Sequence, residues 1–206
     1  MLPINFHRTF APERRYLAAL MDYAALGKQG TYHEIADDTG IPMGKSTGKA
    51  PAILDYAKGM GLINVSIEKN QVRRPILTAF GGIVYYEDKF LGEEMVQWLA
   101  HFNLCRSDIG AKAWHFVFAK GRLGSSFTKD QLEEYLVSIF SPGKERTGPL
   151  LNTYTDDAAL ARSGVLKVQN NIVTRLKAPL IDIYAIPYSA YLLSIMESFF
   201  PGQIQV

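Results

Sequence analysis

Cysteine is almost absent from this chain. Cys105 is the single one in 206 residues, which excludes an intrachain disulfide and a cysteine-rich zinc site. That usage suits a reducing compartment, and the cytoplasm is the expected location. Long apolar runs are also missing. The stretch from Ile183 to Met196 has 14 residues and is interrupted by Pro187, short of the roughly 20 that cross a bilayer. The opening MLPINFHRTF lacks the basic-then-apolar order of a secretory leader, so no membrane association is expected. Histidine is scarce, and His7, His33, His101 and His115 show no metal-ligand spacing. No cofactor and no metal site is identified from these residues.

Net charge is nearly absent as well, with 22 Lys and Arg against 20 Asp and Glu. Its distribution says more. Residues 1–40 carry 4 basic and 5 acidic side chains, 81–140 carry 6 and 8, and 141–206 carry 6 and 5. Residues 41–80 carry 6 and 2, a balance of +4. A local surplus on a near-neutral chain points to an anionic ligand met at one place, although a solvated face would carry it too.

What is present is an ordinary globular composition, 48% hydrophobic and 20% charged, enough for one large domain or two small ones. Leu17, Leu20, Met21 and Ala24 fall at i, i+3, i+4 and i+7, the apolar stripe of a helix. Thr31 with Glu34 three residues on forms a capping-box pattern for a second helix ending near Gly40. A Gly-rich basic segment follows, and then a third helix beginning between Ser46 and Pro51, with Ile53, Ala57 and Met60 on one face. Two strand-like runs, Leu62 to Ile67 and Val72 to Leu77, flank the polar turn Glu68-Lys69-Asn70-Gln71. This order predicts a mainly α fold with small β wings. Residues 1–89 read as a winged helix-turn-helix DNA-binding domain and residues 90–206 as a mostly helical domain. Within the latter, Thr128…Gln131…Gly164-Val165-Leu166 repeats Thr31…Glu34…Gly61-Leu62-Ile63. Residues 128–177 can therefore be read as a second winged-helix-like unit, or as unrelated helices ending in common glycine caps.

In a helix-turn-helix, the N-terminal end of the second helix of the pair reaches base edges. Here that end presents Lys45, Ser46, Thr47 and Lys49. Lys69, Arg73 and Arg74 lie in or beside the wing, where cations follow the phosphate backbone and give affinity rather than sequence choice. Double-stranded DNA is the expected partner, and a winged helix used only for protein contacts is the alternative. Gly44-Lys45-Ser46-Thr47 is not a nucleotide-binding loop, because Gly40 leaves only three residues before Gly44 where four are needed. Glu87-Asp88-Lys89 after an apolar run imitates the end of a metal-dependent nuclease strand, with no matching acidic strand upstream. Tyr154 beside Asp156 and Asp157 could act as a nucleophile or simply pack.

With those residues in view, the chain resembles the SspB-like family of uncharacterised proteins associated with DNA phosphorothioation, the sulfur modification of DNA. The resemblance rests on Phe6-His7-Arg8-Thr9-Phe10, on Gly61-Leu62-Ile63…Leu77-Thr78-Ala79-Phe80-Gly81, and on the series Trp98-Leu99, Trp114-His115-Phe116, Phe127-Thr128, Lys144-Glu145-Arg146-Thr147 and Leu151…Tyr154. It implies a DNA-binding defence protein that nicks or opens duplex DNA so that partner enzymes can insert sulfur. It makes His7 and Arg8 candidates for catalysis, and a divalent metal would accompany nicking. Other phosphorothioation-system proteins and a second copy of the chain are the further partners to expect. A dimeric winged-helix transcriptional regulator and a non-catalytic adaptor for sulfur-transfer enzymes remain alternatives.

Overall fold

The computed structural model describes residues 1–44, 48–121, 123–140 and 147–203. These are mainly helical, with two small antiparallel sheets. The chain divides into two compact units, Met1–Leu176 and Lys177–Val206, and residue 89 lies inside the first of them.

Helix α1 (Arg14–Ala25) buries Leu17, Leu20, Met21 and Ala24, the stripe its sequence predicts. Helix α2 (Tyr32–Thr39) starts at Thr31, whose hydroxyl oxygen accepts from the Glu34 N–H while the Glu34 carboxylate accepts from the Thr31 N–H. That reciprocal pair satisfies two of the donors a helix start leaves open. Helix α3 (Lys49–Gly59) begins in the expected window and tolerates Pro51 in its first turn, where no N–H is required. Strands β1 (Ile63–Ile67) and β2 (Arg73–Leu77) pair antiparallel, from Ile63 opposite Leu77 to Ile67 opposite Arg73. At the tip, Asn70 and Gln71 both have positive φ, the backbone twist that suits a tight hairpin. Gly30 bridges Arg73 from the other side. Thr78 then caps α4 (Ala79–Glu87) by accepting from the Gly81 N–H.

The later part of the first unit contains α5 (Glu94–Cys105), then α6 (Lys112–Trp114), which runs on as a π-helical stretch His115–Lys120. After these come β3 (Ser126–Thr128), α7 (Lys129–Phe140), α8 (Thr147–Thr155), β4 (Leu166–Gln169) and β5 (Ile172–Arg175). The order of residues 31–77, two helices and then a hairpin, recurs here. Its details recur too. Thr128 accepts from the Gln131 N–H while the Gln131 side chain accepts from the Thr128 N–H. Gly164 has positive φ as Gly61 does, and Asn170 and Asn171 take positive φ at the second tip as Asn70 and Gln71 do at the first. Gly30, the residue before the first cap, bridges Arg73, two positions past its tip. Phe127, the residue before the second cap, pairs with Val173, again two positions past the tip.

One core serves the whole first unit. The rings of Phe6, Tyr56 and Trp114 meet with centroids 4.7–5.9 Å apart. Trp114 Nε1 donates to the Tyr154 hydroxyl at 2.8 Å, and that hydroxyl lies 2.6 Å from His101 Nδ1. The Asn103 amide donates to the Met60 carbonyl at 2.9 Å, tying α5 to the end of α3. In the second unit, α9 (Ala185–Phe199) follows a single 3-10 turn.

Candidate nucleic-acid interface

The β1–β2 hairpin carries exposed positive charge. Strand alternation turns Pro75 inward and Arg74 outward, opposite the exposed Ser66. Lys69 is exposed at the tip. Among the described residues neither the Arg74 nor the Lys69 side chain has a hydrogen-bond or ion-pair partner, so both charges face solvent. Arg73 points to the other face. Its guanidinium lies 3.6 Å from the centroid of the Tyr32 ring and donates to the Gln71 carbonyl, an arrangement that braces the hairpin against α2.

Lys49 is committed elsewhere. Its ammonium pairs with Glu13 and sits 5.3 Å and 5.1 Å from the ring centroids of Phe10 and Tyr16. Burial pushes the Glu13 carboxyl up, but the hydrogen bond and charge of Lys49, followed by those of Arg15, outweigh it and hold the group below its ordinary value. Lys45, Ser46 and Thr47 lie outside the described residues, as do Lys144, Glu145 and Arg146. Along α3 itself Ala50 through Leu54 are buried, and Lys58 is exposed. Asp55 is half-buried, and burial raises its carboxyl despite Lys58, Arg8 and Arg73 nearby. The exposed side of α2 is acidic, with Glu34, Asp37 and Asp38. A groove-inserted helix would bring those carboxylates toward phosphates, so among the described residues the hairpin is the better-placed positive surface.

His7 and Arg8 do not form a joint centre. The His7 ring is buried against Phe6 and Trp114. Its Nδ1 accepts from the Thr9 N–H at 3.2 Å. Burial lowers its pKa to about 4, so the ring is neutral at pH 7. Arg8 is exposed, with a positive φ. Glu87-Asp88-Lys89 ends a helix and not a strand. Asp88 accepts from the Gly92 and Glu93 N–H groups, and Lys89 pairs with Asp22. Tyr154 is buried, and burial first, then Cys105, raises its hydroxyl far above the ordinary range, which makes it a packing residue. Burial also pushes the Cys105 thiol up. Among the described residues no group of three or more His, Cys, Asp or Glu is placed to hold a metal ion, and no helix is long and apolar enough to cross a membrane.

Sequence reasoning does not reach the Tyr32–Arg73 stack or the Glu13–Lys49 pair, which join residues far apart in the chain and leave no local signal. The outward position of Arg74 is accessible to it, from the alternation around Pro75.

Residues 7–183 match the model of a family described as DUF4007, protein of unknown function. No curated protein matches the chain. Two solved structures share the fold. The one titled "SspB crystal structure" superposes with a TM-score of 0.64 at 17% identity, covering 91% of this chain and 66% of that one. The one titled "Magnesium ion-bound SspB crystal structure" gives 0.62 at 17% identity, covering 91% and 65%. The chain thus spans slightly less than two thirds of the length of these neighbours. They are of the SspB type that the sequence resembles, and at this identity the likeness is one of fold.

Proposed function

The chain belongs to the DUF4007 family, and on that premise we propose that it is a double-stranded-DNA-binding protein of a DNA phosphorothioation system. Residues 1–89 serve as a winged helix-turn-helix in which the wing carries the DNA contact. The observation that carries this reading is the hairpin: Arg74 and Lys69 exposed on a strand pair that Arg73 braces against α2. A guanidinium and an ammonium facing solvent can displace counterions from phosphates. Lys49 then contributes to stability through Glu13 rather than to base reading.

The resemblance also implies nicking, and one neighbour's title names bound magnesium. Among the described residues no cluster of carboxylates or histidines suits such an ion, and binding alone is proposed. A second reading, an adaptor that docks sulfur-transfer proteins or a second copy, draws on Ile83 and Tyr86, which are 64% and 82% exposed on α4.

Titration of labelled duplex at several salt concentrations tests the proposal. Arg74→Ala with Lys69→Ala should weaken binding to all sequences alike. It should also flatten the plot of log affinity against log salt by about 0.9 for each phosphate no longer neutralised. A wild-type protein that leaves duplex DNA unbound would end the reading.

A further inference from the structure

The second hairpin, β4–β5, repeats a polar pairing of the first. In the first, Ile67 faces Arg73, and the next rung away from the tip is Ser66 opposite Arg74, both exposed. In the second, Gln169 faces Ile172 nearest the tip, Val168 faces Val173, and the next rung is Lys167 opposite Thr174. Each hairpin therefore presents one cation and one hydroxyl side by side, at the residue three positions past the tip along its second strand, with the two strands exchanged.

The pairing in the second hairpin is wider. Ser126 of β3 pairs with Thr174 from the other side, and the two hydroxyl oxygens are 3.2 Å apart. Ser126, Thr174 and Lys167 thus form a polar row across three strands, while their neighbours Phe127 and Val173 are buried on the opposite face and fix the row outward. Among the described residues the Lys167 side chain has no ion-pair or hydrogen-bond partner. Hydroxyls and an uncommitted ammonium in a row are the groups that hold phosphate oxygens, and an apolar or cationic partner would leave the ammonium uncompensated.

We infer that the β3–β5–β4 face is a second contact to the sugar–phosphate backbone of duplex DNA, with the chemistry of the first hairpin. The inference rests on the proposed DNA binding and extends it from one contact region to two. The contact is independent of base sequence, because ammonium and hydroxyl groups on phosphates carry no base information.

The test is duplex binding across salt concentrations by the wild-type protein and by Arg74→Ala, Lys167→Ala and Lys167→Arg. Lys167→Ala should lower the salt slope by about 0.9, one phosphate contact, independently of the decrease in Arg74→Ala. Lys167→Arg should retain the slope. Lys167 is exposed, so the variants should keep the wild-type melting temperature, and that measurement is made alongside. A Lys167→Ala slope equal to wild type, with Arg74→Ala reduced, would overturn this inference and leave the DNA-binding proposal standing. Wild-type protein that binds a polyglutamate peptide through Lys167 and leaves duplex unbound would overturn both.

Discussion

His7 and His101 are both held neutral by burial, with pKa values lowered to about 4 and about 3. The Tyr154 hydroxyl accepts from the Trp114 N–H and lies 2.6 Å from His101 Nδ1, and His101 Nε2 is 3.7 Å from the Cys105 sulfur. An unfolded chain protonates both rings near pH 6.5, before the folded chain does. The unfolded state therefore binds more protons below about pH 6.5, and stability is full above that pH and falls as pH drops toward about 4. Each histidine contributes a slope of about 1.4 kcal/mol per pH unit within that window. Urea unfolding midpoints from pH 7 to pH 4.5 should follow this course, and His7→Gln should remove about half of the slope. A variant with the wild-type slope would show that His7 is not one of the linked groups.

At the scale of elements, α4 meets the base of the hairpin through Gly81, where a Cβ would overlap the Leu62 carbonyl oxygen. Gly82, the next residue, has nothing within 4 Å of its Cβ position. Gly81→Ala should therefore destabilise by about 1–3 kcal/mol, or more if the helix cannot shift. Gly82→Ala should stabilise by roughly 0.5–1 kcal/mol from helix propensity. Thermal unfolding of the pair gives the comparison, and equal effects would mean that α4 does not press on Leu62. The elements most legible in the sequence are those with local causes. The α1 stripe, the Thr31–Glu34 and Thr128–Gln131 caps and the two hairpins each follow from residues within a few positions of one another. Strand β3 is not legible, because three residues acquire strand structure only by pairing with β5, and Ser126 and Thr174 are 48 positions apart. The site is legible in part. Lys69 and Arg74 are exposed where the pattern puts them, whereas Lys49 is drawn to a carboxylate 36 positions earlier.

At the scale of the whole molecule, residues 1–89 share their core with residues 90–160. Phe6 and Tyr56 pack on Trp114, Asn103 holds the Met60 carbonyl, and the Arg14 guanidinium donates to the carbonyls of Phe90 and Asp157. A fragment of residues 1–89 should therefore show a broad, non-cooperative thermal transition by circular dichroism, where residues 1–176 unfold in one step. A sharp transition in the short fragment would make it an autonomous domain. During synthesis, Arg14 must wait for Asp157, 143 positions later. At roughly 5–20 residues per second that interval is about seven to thirty seconds. Throughout it α1 and α3 keep uncovered the part of their apolar surface that residues 90–160 later bury.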